Sequence, residues 1–164
     1  MKSKNKYSLP VQMNEKVRMT YDESPAHKGY LKNSVDFVMP KGTPVLAALS
    51  GIVNDIKQDS DVGGVEESYD QYGNYIEIAH NNGEFSIYEH IQKDCVKVKV
   101  GDHVKEGQVI AKCGYTGWMA HLGPHLHFNV HKYKKNSKTQ YESLVIVWKD
   151  ERYNSGRIKF NNLY

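Results

Sequence analysis

A chain of 164 residues is long enough to bury one substantial core and short of two. Apolar residues at 39% and charged residues at 25% match ordinary globular usage, which argues against a disordered chain. The 22 basic and 19 acidic side chains leave a formal charge of +3, scattered along the whole sequence. That is too weak and dispersed to argue for a nucleic-acid partner, although a mildly basic surface suits an acidic polymer.

In chain order, the opening "MKSKNKYSLP" has the charges of a leader's first segment with no apolar stretch behind it, so no export signal is visible. No apolar run approaches the roughly 18 residues that span a bilayer. Residues 1–20 are polar and weakly patterned and read as an N-terminal extension, residues 21–150 as the domain, and residues 151–164 as a C-terminal tail. "GTPVLAALSGIVNDIKQ" contains two short β-branched runs around Ser50-Gly51, and "QDSDVGGVEESYD" (58–70) reads as an acidic surface loop long enough to rim a groove. "GNYIEIAHNNGEFSIYEHI" is a pair of alternating strands joined at Asn82-Gly83, a strong hairpin signal. "CVKVKVGDHVKEGQVIAKCG" reads as a further strand series, and "HLHFNV" and "LVIVW" as two more strands. No window holds a 3.6-residue stripe, so the expected fold is all-β, antiparallel, with a single core. The 12 tyrosines fit the sheet. Cys95 and Cys113 lie in no metal or redox motif and are expected as small buried side chains.

Three of the 8 histidines fall in "GPHLHFNVHK", residues 123–132. Alternation puts His125 and His127 on one strand face with α-carbons about 6.7 Å apart. His131 shares their parity, lies two pairs further on, and is read as a surface residue past the strand's useful end. Two imidazoles on one face are a beginning for a zinc site, which needs further nitrogen, sulfur or carboxylate donors from elsewhere. Upstream, "SPAHKGYLKNSVDFVMPKG" offers His27 and Asp36. His90, in "SIYEHI", alternates with Tyr88 and is expected on the same side.

The ordered blocks His27…Asp36, "DFVMPKGTPVLAALSGIV", "YGNYIEIAHNNGEFSIYEHI", "VKVGDHVKEGQVIAKCGYTG" and "GPHLHFNV" resemble the LytM and lysostaphin-type zinc endopeptidases that cut peptidoglycan peptides. The resemblance runs from about His27 to about Trp148. It implies a β-sheet or sandwich of the LytM (duplicated-hybrid-motif-like) type with a groove. It also implies one Zn²⁺ per chain held by His27, Asp36 and His127, non-ligand catalytic histidines at His90 and His125, a peptidoglycan peptide as substrate, and an envelope or secreted location. Eight residues separate His27 from Asp36, where the family's commonest form has three. This looks like a branch with longer spacing, in which the histidine sits on a loop. His121 and His80 are the competitors for its role.

Other residues carry plainer readings. His80, at a hairpin entrance, is expected to bond turn backbone, and His103 to be solvated. Tyr88, Tyr115 and His121 are candidate groove residues. In "GYTGW" a glycine either leaves room for an extended peptide or serves turn geometry. Two imidazoles and one carboxylate would leave a zinc site at net charge +1, a good Lewis acid near pH 7. His90 and His125, with ordinary pKa near 6.5, would exchange protons with water and leaving amine in either order. Two other classes compete: a LytM-like module that binds the wall or activates an amidase without cutting, and, from "VKVGDHVKEGQVIAKCG", a lipoyl- or biotin-carrier-like domain.

Overall fold

The computed structural model of the chain describes residues 1–21, 24–119, 123–137 and 140–154. In chain order their strands are β1 (Lys2–Tyr7), β2 (Arg18–Thr20), β3 (Val35–Val38), β4 (Pro44–Leu46), β5 (Gly51–Lys57), β6 (Gly63–Gly64) and β7 (Tyr75–Ala79). They continue with β8 (Phe85–Glu89), β9 (His103–Val104), β10 (Val109–Lys112), β11 (Gly117–Trp118), β12 (His125–Tyr133), β13 (Tyr141–Ser143) and β14 (Val145–Trp148). The only helices among the described residues are short 3₁₀ turns, so the all-β expectation holds.

The main sheet runs β2-β3-β12-β8-β7-β5-β9, antiparallel throughout, with β13 added against the end of β12. Alternation sorts its side chains into two faces. One face carries Val35 and Phe37, Leu126, Phe128 and Val130, Tyr88, Ile76 and Ile78, all essentially inaccessible. Burying each such side chain contributes about 1.5–3 kcal/mol. The β4–β10 pair, with Val45, Ile110 and Ala111, and the aromatic pair Tyr7 and Trp148 belong to the same core. The other face presents, row by row across neighbouring strands, Asp36, His127, Glu89 and Tyr75, then Asn129, Ile87 and Glu77. A polar row on one face and an apolar row on the other is what places the site on a rigid floor.

The segment 1–20 supplies Tyr7, Val11, Val17 and Met19 to the core. Its β1 pairs with β14 in parallel, as β11 does with β6, so two small parallel pairs accompany the antiparallel sheet. The buried Glu84 carboxylate ties it to the β7–β8 hairpin, accepting from the N–H groups of Lys4 (2.6 Å) and Asn5 (3.1 Å) and from the Tyr7 hydroxyl (3.1 Å).

Two strand expectations are corrected. Within 95–113 only β9 and β10 form. Residues 96–102 are tied one bond at a time to different strands, Lys97 N–H to Ile110 O and Gly101 N–H to Val53 O, which makes no ladder. β12 runs on to Tyr133, because β8 and β13 flank its second half. His131 is therefore fully buried and not a surface residue. Its ring stacks on Phe85 (centroids 5.7 Å apart), contacts Tyr141 (4.2 Å), and its Nε2 lies 3.0 Å from Glu77 Oε1. Burial pushes the Glu77 carboxyl up, but His131, Tyr133 and Asn54 outweigh that and hold it below the usual carboxylate range.

Candidate active site

Register places Asp36 of β3 directly opposite His127 of β12. His127 Nδ1 stands 3.0 Å from Asp36 Oδ1. His27 reaches the same point from the turn before the Gly29–Leu31 3₁₀ helix, a turn closed by its N–H on Ser24 O (2.9 Å). Its Nε2 is 3.2 Å from Asp36 Oδ1 and 3.3 Å from His127 Nδ1. Two imidazole nitrogens and a carboxylate oxygen thus converge with separations of 3.0 to 3.3 Å. Donors on a tetrahedron of roughly 2.0 Å bonds stand about 3.3 Å apart, so the chemistry and spacing of the three suit zinc. The eight-residue gap from His27 to Asp36 is spanned by the turn and the 3₁₀ helix, which bring the loop histidine back over β3.

Electrostatics around the triad are strong. Burial acts to raise the Asp36 carboxyl, but the hydrogen bonds from His127 and His27 win and hold it well below the usual carboxylate range. Burial acts to lower His127, while its hydrogen bond and ion pair with Asp36 raise it above the ordinary imidazole value.

His90 and His125 stand beside the triad without joining it. Their ring centroids are 4.7 Å apart, and the His90 ring is 5.8 Å from that of His127. His90 Nδ1 lies 2.7 Å from Thr116 O, and His125 Nδ1 lies 2.9 Å from Gly123 O. A carbonyl oxygen only accepts, so each neutral ring carries its proton on Nδ1 and keeps a lone pair on Nε2. Burial, reinforced by His125 and His127, pushes His90 down to about 3, keeping it a neutral acceptor.

The expectation that His90 faces the same side as Tyr88 is corrected. His90 adopts φ 64° at the end of β8, which breaks the strand's alternation and turns its ring out of Tyr88's face. Histidine is among the residues that tolerate this region. Tyr88 is fully buried against Phe128, its hydroxyl accepting from Ala48 N–H (2.8 Å), and does not line the groove. Lys41 Nζ lies 4.4 Å over the Tyr115 ring, and Tyr115 is not among the side chains lining the cavity beside His90. His121 lies outside the described residues. His80 bonds Ser50 O (3.0 Å) and the Ser86 hydroxyl (2.8 Å), and His103 is exposed. Cys95 and Cys113 are free and buried.

The scaffold behind His90 involves residues that turn signals alone do not reveal. The Asn74 side chain, fully buried, accepts from Ser60 N–H (3.1 Å) and donates to Ser60 O (2.8 Å) and Ile91 O (3.3 Å). Its backbone N–H donates to the Thr116 hydroxyl (3.0 Å), which donates to Ile91 O (3.1 Å). Gly117, at φ 89°, packs backbone to backbone on Gly73: a Cβ there would stand 2.7 Å from Gly73 Cα and 3.5 Å from His90 Nδ1. The glycine of "GYTGW" is thus needed for close approach of protein backbone. A cavity of about 210 Å³ opens beside His90, lined by Asp70, Gln71, Tyr75, Glu89 and Trp118 among others. The 58–70 loop contributes Asp70 to its rim, and Trp118 Nε1 donates to Val65 O (2.8 Å) to hold that wall. Tyr30 and Tyr141, their rings 5.1 Å apart, line a second hollow of about 400 Å³ with Lys134 and Gln140.

The described residues thus form an all-β domain carrying a candidate His/Asp/His metal cluster. The chain belongs to peptidase family M23, whose family model matches residues 30–141, a stretch that contains Asp36, His90, His125 and His127 and begins just after His27. It is 38% identical over 117 residues to the peptidoglycan DD-endopeptidase ShyC of Vibrio cholerae, covering 70% of this chain and 22% of that protein. Among solved structures it is similar to the catalytic domain of the antimicrobial peptidase lysostaphin from Staphylococcus simulans, at 36% identity and TM-score 0.51, over 70% of this chain and 79% of that one. It is also similar to a zinc-containing peptidase from Vibrio cholerae, at 30% identity and TM-score 0.55, over 77% of this chain and 36% of that one. The chain spans about a fifth of the length of the curated relatives it matches. Among the described residues no helix is long and apolar enough to cross a membrane.

Proposed function

We propose that the chain is a zinc-dependent endopeptidase that hydrolyses peptide bonds in the stems or cross-links of peptidoglycan, acting at the cell envelope. The observation that carries this reading is the convergence of His27 Nε2, Asp36 Oδ1 and His127 Nδ1 on one point beside two histidines whose Nε2 atoms have no hydrogen-bond partner among the described residues. The similarity to a peptidoglycan DD-endopeptidase supports the substrate class.

In this reading His27, Asp36 and His127 hold one Zn²⁺ at net charge +1. Bound zinc supplies Lewis acidity, polarising a carbonyl and making water nucleophilic near neutral pH. The chain's own groups do the rest. Asp36, its carboxyl held well below the usual carboxylate range, bonds both ligand rings and orients them. Thr116 O and Gly123 O fix His90 and His125 in the tautomer that offers Nε2, so a ring that takes the water's proton there becomes an imidazolium and can hand that same proton on to the leaving amine, returning to its neutral form. The rigid β12 floor carries His125 and His127 at a constant spacing, so substrate is oriented against them without a lid having to assemble the site. The cavity beside His90 takes one side of an extended peptide.

Metal analysis and a wall digest test the reading together. About one zinc per chain, lost in His127→Ala and retained in His125→Ala, is expected. Purified wall should release new amino termini, with release abolished by chelator and by His125→Ala. Zinc binding with no cleavage of wall or cross-linked peptide would overturn the enzyme reading in favour of a wall-binding module.

A further inference from the structure

His127 sits between two carboxylates. Across β3 its opposite residue is Asp36, and across β8 it is Glu89. Residues directly opposite in antiparallel strands share a face, with Cβ atoms about 4.5–5.5 Å apart. Nδ1 of His127 is engaged on the β3 side, at 3.0 Å from Asp36 Oδ1. Nε2, on the far side of the ring, is therefore directed away from β3. That nitrogen is buried and has no hydrogen-bond partner among the described residues. Buried polar atoms without partners are rare enough to need an explanation. Glu89 has no hydrogen bond or ion pair among the described residues either, and its side chain lines the 210 Å³ cavity, where a water has room. Burial pushes the Glu89 carboxyl up and the charge of His127 opposes that, while the charge of Glu89 acts to raise His127.

We propose that Glu89 is the outer partner of His127, accepting the Nε2 proton directly or through one water, so that the Nδ1 lone pair is held toward the metal. The inference rests on the zinc reading given above. A histidine that binds a metal through one nitrogen ordinarily donates its other N–H to a carboxylate or carbonyl, which fixes tautomer and ring orientation and makes the ligand more basic. The in-register row Asp36–His127–Glu89 supplies such an arrangement across three adjacent strands, with one carboxylate on the metal side of the ring and one on the outer side. Glu89 is here a positioning residue for the metal.

The test is zinc affinity by chelator competition in the full chain, for the unchanged protein, Glu89→Ala and Glu89→Gln, with ¹⁵N NMR of the zinc-loaded histidine rings. Glu89→Ala should weaken zinc binding about 10- to 100-fold. Glu89→Gln, which keeps an acceptor oxygen, should recover part of that loss, and it carries the test if the alanine variant does not fold. The His127 Nε2–H signal should be protected from solvent exchange in the unchanged protein and exchange freely in Glu89→Ala. If zinc binds stoichiometrically and is lost in His127→Ala, while both Glu89 variants bind within twofold of the unchanged protein, the role of Glu89 is overturned and the metal reading stands. If the unchanged protein binds no zinc, or keeps it in His127→Ala, the metal reading fails and this inference falls with it.

Discussion

Replacing Asn74 with alanine should destabilise the protein and disturb His90 at the same time. Its side chain makes three buried hydrogen bonds, two to the backbone of Ser60 and one to Ile91 O. Ile91 O keeps the Thr116 hydroxyl, so the groups stranded are the N–H and C=O of Ser60, itself buried. Each buried group left without a partner costs about 1–3 kcal/mol, so Asn74→Ala should lose about 2–6 kcal/mol, at the low end if water enters the space. For a chain of this size that lowers Tm by about 2–4 °C per kcal/mol. Urea unfolding of the zinc-saturated protein reads the loss directly. The second effect runs through Thr116, whose carbonyl accepts from His90 Nδ1 and whose hydroxyl accepts from the backbone N–H of residue 74, a bond that alanine keeps but that the lost side-chain ties no longer hold in place. As the 58–60 segment and the Thr116 loop loosen, kcat should fall more than KM rises, with zinc content unchanged. A stability loss below about 1 kcal/mol, or full turnover in a clearly destabilised variant, would refute the claim that Asn74 helps to position the His90 ring.

Gly117→Ala should cost about 2–5 kcal/mol, since φ 89° is unfavourable for an L residue and its Cβ would meet Gly73 Cα at 2.7 Å; wild-type stability in a denaturant titration would count against it. Acid should destabilise the fold through His90. Its folded pKa of about 3 lies below the unfolded value near 6.5, so this stability is complete above about pH 6.5 and is lost as pH falls toward 3, by roughly 5 kcal/mol in all. His127 is shifted the opposite way: in chelated protein its contribution is present below the unfolded pKa and disappears as pH rises through the folded one. Unfolding curves between pH 7.5 and 4 should therefore fall more steeply for zinc-loaded than for chelated protein, because acid also displaces the metal from its ligands; equal slopes would contradict this.

Much of the candidate site was legible because strand alternation is a local rule. "HLHFNV" by itself puts His125 and His127 on one face, and "SVDFV" puts Asp36 on a strand, whatever the rest of the chain does. The hairpin at Asn82-Gly83 is equally local: both residues adopt positive φ, as such a turn demands. Legibility failed where a residue's position depends on a partner distant in sequence. β12 lengthens past His131 only because β8 and β13 supply hydrogen-bond partners, and this converts an apparent surface histidine into a buried neighbour of Glu77. Tyr88 and His90 part company through a single backbone angle at the strand's end, which leaves no mark on the apolar pattern.

The sequence alone therefore determined the all-β class, the main hairpin, the pairing of His125 with His127 on a common face, and the candidates His27 and Asp36. Each follows from two-residue periodicity, from turn chemistry, or from resemblance across ordered motifs. Only the tertiary structure decided that His27 Nε2 returns from its loop to within 3.3 Å of His127 Nδ1, that Asn74 and Thr116 stand behind His90, and that Glu89 lies in register opposite His127. Those are relations between residues from 26 to 100 positions apart. They exist only once burial of the apolar face has set the register of β3, β12, β8 and β7, since a slip of one residue would send every one of these side chains to the opposite face.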